Sequence, residues 1–148
     1  PLKETKEQID RIYAEAEKAG RTDRPRIWVT FRPIVAETDD LAWAKAHRIL
    51  DALNANKVNG GPGAFGLGKP AGEAPAPVTA TNARGASTAL VGSPQTIVDS
   101  LLDYVDLEAE LISIRGYDNL NDAIDYGRYV IPQVREVLRQ RANGAAKA

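Results

Sequence analysis

Three arginines and a tyrosine are the residues of this chain whose positions could serve chemistry. Arg32 stands near the C-terminal end of an apolar, β-branched run, Arg-Ile-Trp-Val-Thr-Phe-Arg-Pro-Ile-Val, at 26–35. Arg84 lies in Asn82-Ala83-Arg84-Gly85, just ahead of a second such run. Arg115 directly follows Leu111-Ile112-Ser113-Ile114, and Tyr117 comes two residues later. A guanidinium stays charged and meets an oxyanion through paired hydrogen bonds. Two or three of them around one mouth would therefore suit an anion such as a sulfonate, a carboxylate or a phosphate. The competing reading for Arg32 and Arg115 is an ion pair with an interior carboxylate; for Arg84 it is a solvated loop position, and for Tyr117 plain packing in a turn.

Other chemistries find less support. The chain has no cysteine, which excludes a disulfide framework, a thiolate metal site and a cysteine nucleophile. His47 is the single histidine; its neighbours Ala46 and Ile49 face inward on a helical pattern, so the ring belongs at the solvent edge. No metal site can be built around it. Gly60-Gly61-Pro62-Gly63 and Gly66-Leu67-Gly68-Lys69 look like phosphate loops, but neither follows a strand and opens a helix. The acidic residues mostly occupy solvated helix faces and no nucleophile–base pair emerges, so a hydrolase fits poorly.

Charge and hydropathy narrow the partners. With 148 residues and a net charge of -1, basic and acidic groups interspersed, the chain has no polyanion footprint, and nucleic acid is not an expected partner. No apolar run approaches the ~20 residues that span a bilayer, and no signal peptide pattern opens the chain. A membrane partner is not expected, and the absence of cysteine fits the cytoplasm. The length suits one domain. The chain begins at Pro1 and contains no methionine, so the expectation is a processed, engineered or excerpted piece of something longer.

The elements that must position these groups follow from periodicity. Residues 3–19 carry Ile9, Ile12, Tyr13, Ala16 and Ala19 at helical spacing, and Gly20 is a natural stop. The run at 26–35 reads as a strand with Ile27, Val29 and Phe31 on one face and Trp28, Thr30 and Arg32 on the other; Pro33 should end regular pairing. The two tryptophans, Trp28 and Trp43, read as core or helix-interface groups. Thr38 is an N-cap followed by Asp39 and Asp40, for a helix over 39–53 with Ala42, Ala46, Ile49, Leu50 and Leu53 inward. Residues 54–87 lose all period, and their length marks a long loop that is a lid, a disordered linker or a shortened insertion. Ala89–Val91 is a short strand, Gly92 a turn, Ser93 a cap and Pro94 the first residue of a helix over 94–106. Leu111, Ile112 and Ile114 form the next strand, with Gly116, Tyr117 and Asp118 as its exit turn. A helix over 120–140 should kink or break at Pro132, and 141–148 should be a frayed tail.

Alternating strands and helices call for a parallel sheet built from right-handed crossovers. Three strands fall short of a closed barrel or a complete doubly wound sheet. In a (β/α)8 TIM barrel the chemistry sits at the C-terminal ends of the strands, where Arg32, Arg115 and Tyr117 lie. The expected fold is therefore α/β, with parallel strands and covering helices, and a barrel built from these strands would be incomplete. Residues 1–148 form a single partial domain.

Several ordered segments support that reading. Ile34-Val35-Ala36-Glu37-Thr38-Asp39-Asp40 with Ala42-Trp43 resembles the bacterial luciferase-like flavin monooxygenases, in particular their alkanesulfonate monooxygenase branch. So do Thr88-Ala89-Leu90-Val91-Gly92-Ser93-Pro94, Asp103-Tyr104-Val105-Asp106-Leu107, and Ile114-Arg115-Gly116-Tyr117 with Asp122-Ala123-Ile124 and Val130-Ile131-Pro132. The resemblance covers most of residues 3–137 and corresponds to the C-terminal half of a family member, with Ala89–Val91 and Leu111–Ile114 as the last strand pair of its barrel. It implies part of an enzyme that uses reduced FMN, or alternatively a deazaflavin, and oxygen to oxidise a small organic substrate, organosulfur or anionic. It also implies a flavin reductase as the source of reduced flavin, and a homo-oligomer. Arg32 falls where the branch often has a histidine and Thr30 where it has an arginine. Arg84 matches a mobile-loop arginine, Tyr117 an active-site tyrosine, and Arg115 faces the same cavity. Catalytic positions are thus Arg32, Arg84, Arg115 and Tyr117, and cofactor contacts Thr30 and Tyr117. The rival is a non-catalytic half-barrel, a fragment or scaffold completed by another chain or by self-assembly.

Overall fold

The nine residues Ile27–Val35 form the first strand, β1, which is paired along both edges. The computed structural model describes residues 2–58, 79–80 and 87–145. Arg84 and most of the long segment expected at 54–87 lie outside the described residues. Ahead of β1 runs helix α1 (Leu2–Lys18); after it come α2 (Asp39–Val58), β2 (Thr79–Ala80), β3 (Ser87–Gly92) and α3 (Pro94–Asp106). The chain continues through β4 (Ala109–Ile114), α4 (Asn119–Asp125), a π-helical segment at Tyr126–Val130, and α5 (Ile131–Ala145).

Among the described residues the sheet has the order β2-β3-β1-β4. β1 is parallel to both β3 and β4, and the two-residue β2 lies antiparallel at the β3 edge. The C-terminal half of β1, Phe31 to Val35, pairs with Thr88 to Gly92. Its N-terminal part, Ile27 to Phe31, pairs with Ala109 to Ile114. Hence β3 and β4, expected as an adjoining last strand pair, are separated by β1. Each pairs with a different part of the nine-residue β1, so β1 is bonded along both edges.

Pairing also continues past Pro33, where it was expected to stop: Pro33 stands opposite Leu90, Ile34 opposite Val91 and Val35 opposite Gly92. The reason is directional. The Phe31 carbonyl accepts from the Arg115 amide at 3.2 Å, so odd residues of β1 point their backbone groups at the β4 edge. Even positions point at β3, as the Ala36 amide does toward the Gly92 carbonyl. The missing N–H of Pro33 thus faces the edge that β4 has already left, and its carbonyl is taken by the Tyr126 hydroxyl.

The faces sort by the period of two. Ile27, Phe31 and Val35 enter the main core with Ile97, Val98, Leu101, Leu102 and Tyr104 of α3, together with Tyr126 and Val130; Val29, Ile112 and Ile114 are half-buried against it. Phe31 and Tyr104 meet ring to ring at 4.4 Å, tilted by 50°, a geometry that aligns ring edge with ring face. On the other face Arg32 and Ile34 are buried, as are Ala42 and Ala46 of α2 and Ala89 of β3. Trp28, read from sequence as a core or interface group, is 68% exposed. It shares this second face and stands opposite Leu111, itself 42% exposed, because nothing described covers the N-terminal end of the face.

The helix ends obey local chemistry. Ser93 caps α3, accepting from the Thr96 amide, and Pro94 opens the helix. Thr38 accepts from the Leu41 amide at the start of α2. The break expected at Pro132 appears as the π-helical segment just before it: a proline without N–H leaves a carbonyl one turn back unsatisfied, and a wider turn relieves the clash. α2 and α5 both run further than their periodicity predicts, to Val58 and Ala145.

Asp39 ties two helices together. Its Oδ1 accepts from the Ser93 amide at 2.6 Å and from the Thr96 hydroxyl at 2.8 Å, so the first residue of α2 also caps α3. The Ser93 amide foremost, then the Thr96 hydroxyl, hold its carboxyl below the usual range. A depressed folded pKa contributes stability that is full above the ordinary value of about 4 and is lost as pH falls through the folded value. Urea unfolding across a pH series should show a shallower loss of stability on acidification below about pH 4 in Asp39→Asn than in the parent chain.

Candidate functional site

Arg32, Arg115 and Tyr117 converge at the C-terminal ends of β1 and β4. Arg32 projects from β1 and is 6% exposed. Its guanidinium carbon lies 5.4 Å from the centre of the Tyr117 ring, within reach of a cation–π attraction. Arg115 follows β4 directly, is exposed, and its amide extends the β1–β4 pairing through the Phe31 carbonyl. Parallel strands present their C-terminal ends on one rim, which places these groups near one another. Thr30 lies one pleat repeat below Arg32 on the same face, exposed, with Ser113 opposite.

The electrostatics follow from burial. Burial foremost, then repulsion from Arg115, lowers the Arg32 pKa, while Tyr117 and Tyr126 oppose the change; the guanidinium remains a cation at neutral pH. Burial pushes the Tyr117 phenol up, against the pull of Arg32. Burial again, and then Asp122, Tyr117 and Asp125, push Tyr126 up strongly. Both phenols are therefore neutral donors in the ordinary pH range. Tyr126 spends its hydrogen on the Pro33 carbonyl. The buried Tyr117 hydroxyl has no hydrogen-bond partner among the described residues, which is costly unless a ligand or water completes it.

Asp122, Lys45, Tyr126 and Gly116 were not singled out from sequence. Asp122 is buried and accepts from the Tyr117 amide at 2.9 Å, the Asp118 amide at 3.0 Å and the Lys45 ammonium at 2.9 Å. The buried Asp122 carboxylate is thus held in part by a lysine from α2. The sequence signal was thin: Lys45 adjoins the inward Ala46, and Asp122 begins the segment Asp122-Ala123-Ile124. His47 is exposed as expected, its Nδ1 2.8 Å from the Trp43 carbonyl. No group of His, Cys, Asp and Glu that could hold a metal occurs among the described residues, and no described helix is long and apolar enough to cross a membrane. A cleft of about 570 Å³ between α1, α2, β3 and α3, with Trp43, Leu90 and Tyr104 in its wall, contains none of the candidate residues.

A parallel α/β sheet with a polar cluster on its C-terminal rim defines the class. A family model for luciferase-like monooxygenases matches residues 1–111. The chain belongs to that family. It is also similar to the crystal structure of DmoA from Hyphomicrobium sulfonivorans, with a TM-score of 0.59 and 20% identity, over 92% of this chain and 35% of that one. At such identity the likeness bears on the fold, which is α/β with parallel strands and covering helices, part of a luciferase-like TIM barrel. The chain spans 35% of the length of that protein.

Gly116 separates Arg115 from Tyr117 and has no room for a side chain: an added Cβ would lie 2.1 Å from Asp122 Oδ2 and 2.2 Å from its Cβ. Gly116→Ala must displace the buried carboxylate and should cost about 1–3 kcal/mol in urea unfolding, whereas Gly127→Ala, where nothing lies within 4 Å, should not destabilise.

Proposed function

We propose that the chain is the C-terminal part of a flavin-dependent monooxygenase that uses reduced FMN and oxygen to oxidise a small organic, anionic or organosulfur substrate. The observation that carries this reading is the buried Tyr117 hydroxyl, unpartnered among the described residues, beside the buried cation of Arg32. A neutral donor next to a guanidinium fits an oxygen-rich, negatively charged group, as reduced FMN and a sulfonate both are. The residues present therefore suit the cofactor that the family implies. Bound flavin supplies the activation of oxygen. Arg32 and Arg115 hold anionic groups at the rim, Tyr117 donates a hydrogen bond, and Thr30 lies below as a further flavin contact. Arg84, which lies outside the described residues, is proposed as a further catalytic cation. A deazaflavin is the alternative cofactor, a flavin reductase the donor of reduced flavin, the assembly a homo-oligomer, and the compartment the cytoplasm.

The second reading is a half-barrel that needs another chain or self-assembly. The observation favouring it is the open sheet face at Trp28 and Leu111, together with the 35% coverage of the solved neighbour. An anaerobic titration with reduced FMN, run beside a solution mass measurement, separates the two. The enzyme reading expects stoichiometric binding, weakened at least about tenfold, or ~1.4 kcal/mol, when Arg115 and Tyr117 are both replaced by Ala. A monomer without flavin affinity supports the half-barrel. Unchanged flavin binding and turnover in the double variant would remove these residues from the site.

A further inference from the structure

We propose that Asp122 and Lys45 are positioning residues that lock the Arg115–Asp118 turn onto the end of β1, and so set Tyr117 beside Arg32. The role proposed for the pair in ligand binding rests on the reading of Arg32 and Tyr117 as a site; the lock itself does not. Asp122 Oδ2 accepts the amides of Tyr117 and Asp118, while Oδ1 accepts the Lys45 ammonium. Lys45 also donates to the Val35 carbonyl at 3.3 Å. One continuous path therefore joins the last residue of β1, the middle of α2 and the turn after β4. Its end on β1 is three residues beyond Arg32, and its end on the turn is the backbone of Tyr117 itself.

Local helix capping does not account for the arrangement. Asp118 already caps α4 by accepting from the Asn121 amide at 3.3 Å, and the Asp118 amide donates to Asp122, one residue beyond the N3 position that a capping box uses. Capping needs neither the Tyr117 amide nor a lysine from another helix. The Asp122 side chain is 5% exposed and that of Lys45 29%. Burying such a pair costs desolvation that an apolar pair of the same volume avoids, so its yield is geometric: two fixed hydrogen-bond directions on the turn. Gly116 points the same way, since only a residue without Cβ lets the turn close on the carboxylate.

The test uses the chain itself. Amide hydrogen exchange by NMR should show exchange at Tyr117 and Asp118 faster by at least about tenfold in Asp122→Ala, with the amides of β1 and β3 unchanged. Lys45→Met should produce the same pattern, and Lys45→Arg should restore protection. Ultraviolet titration, with Tyr117→Phe to identify the Tyr117 contribution among the five tyrosines, should show its phenol moving down toward the ordinary value in Asp122→Ala and Lys45→Met. If Asp122→Ala does not fold, Lys45→Met and Asp122→Asn carry the test, Asn keeping an oxygen for the amides while losing the charge. Unchanged turn exchange, or a Tyr117 titration that stays put while the turn opens, overturns the proposal. If the turn and phenol are released but reduced FMN binds parent and variants alike, the lock stands and the flavin reading of the site falls.

Discussion

Backbone hydrogen bonding on both edges of β1 is the constraint from which the remaining architecture follows. The strand alternates its donors and acceptors, even residues toward β3 and odd residues toward β4. Each flanking strand covers only part of its length. Where β4 ends, the odd positions of β1 face no strand, and the sequence places there a proline with no amide to satisfy. The remaining acceptor, the Pro33 carbonyl, goes to Tyr126. The π-helical segment that carries Tyr126 is thereby anchored at the same rim where Arg32 emerges. Backbone satisfaction and site geometry are one problem here, since the residues that close the ladder also border the polar cluster.

The same strand divides its side chains between two tasks. Odd residues from Ile27 to Val35 feed an apolar core with α3, and that core holds Phe31 against Tyr104. Even residues change character along the strand: Trp28 and Thr30 are exposed, Arg32 and Ile34 buried. At the buried end Tyr117 and Tyr126 favour the charge of Arg32, against burial and the repulsion of Arg115. The exposed end carries a tryptophan paired with a leucine, an apolar surface that the described elements leave uncovered.

Short-range rules carried most of the fold. The caps at Thr38 and Ser93, Pro94 at a helix start, the strand alternation around Phe31 and the interruption near Pro132 all depend on neighbours within one turn or one pleat, and all were legible in the sequence. What failed depended on distance. The place of β4 on β1 is a competition between edges that no local pattern encodes. The tolerance of Pro33 inside a ladder depends on which edge its nitrogen faces, and that depends in turn on where another strand ends. Trp28 looked like a core residue because its side chain is apolar; whether anything covers it is a property of the whole assembly. In the site, the convergence of Arg32, Arg115 and Tyr117 was readable because parallel strands share a rim. Lys45 and Asp122 lie 77 residues apart, each on a helix whose charged residues read as a solvated face, so the pair could be found only in three dimensions.

These buried polar groups also decide what the rim can receive. Asp122 is occupied by two amides and a lysine, and Tyr126 is occupied by the Pro33 carbonyl. The negative charge in the cluster is thus neutralised by Lys45, and one phenol has already spent its proton. What stays available for a ligand is the donor of Tyr117, kept protonated by burial, in the field of two arginines. A cation brought to this rim would be repelled by both guanidiniums and would meet a hydroxyl whose pKa has moved away from ionisation. An anionic or oxygen-rich ligand would be attracted by the same charges and would complete the hydroxyl's missing hydrogen bond. The preference therefore arises from the order in which the polar groups are used up: internal pairing occupies the Asp122 carboxylate and the Tyr126 hydroxyl, and the Tyr117 hydroxyl has no partner among the described residues.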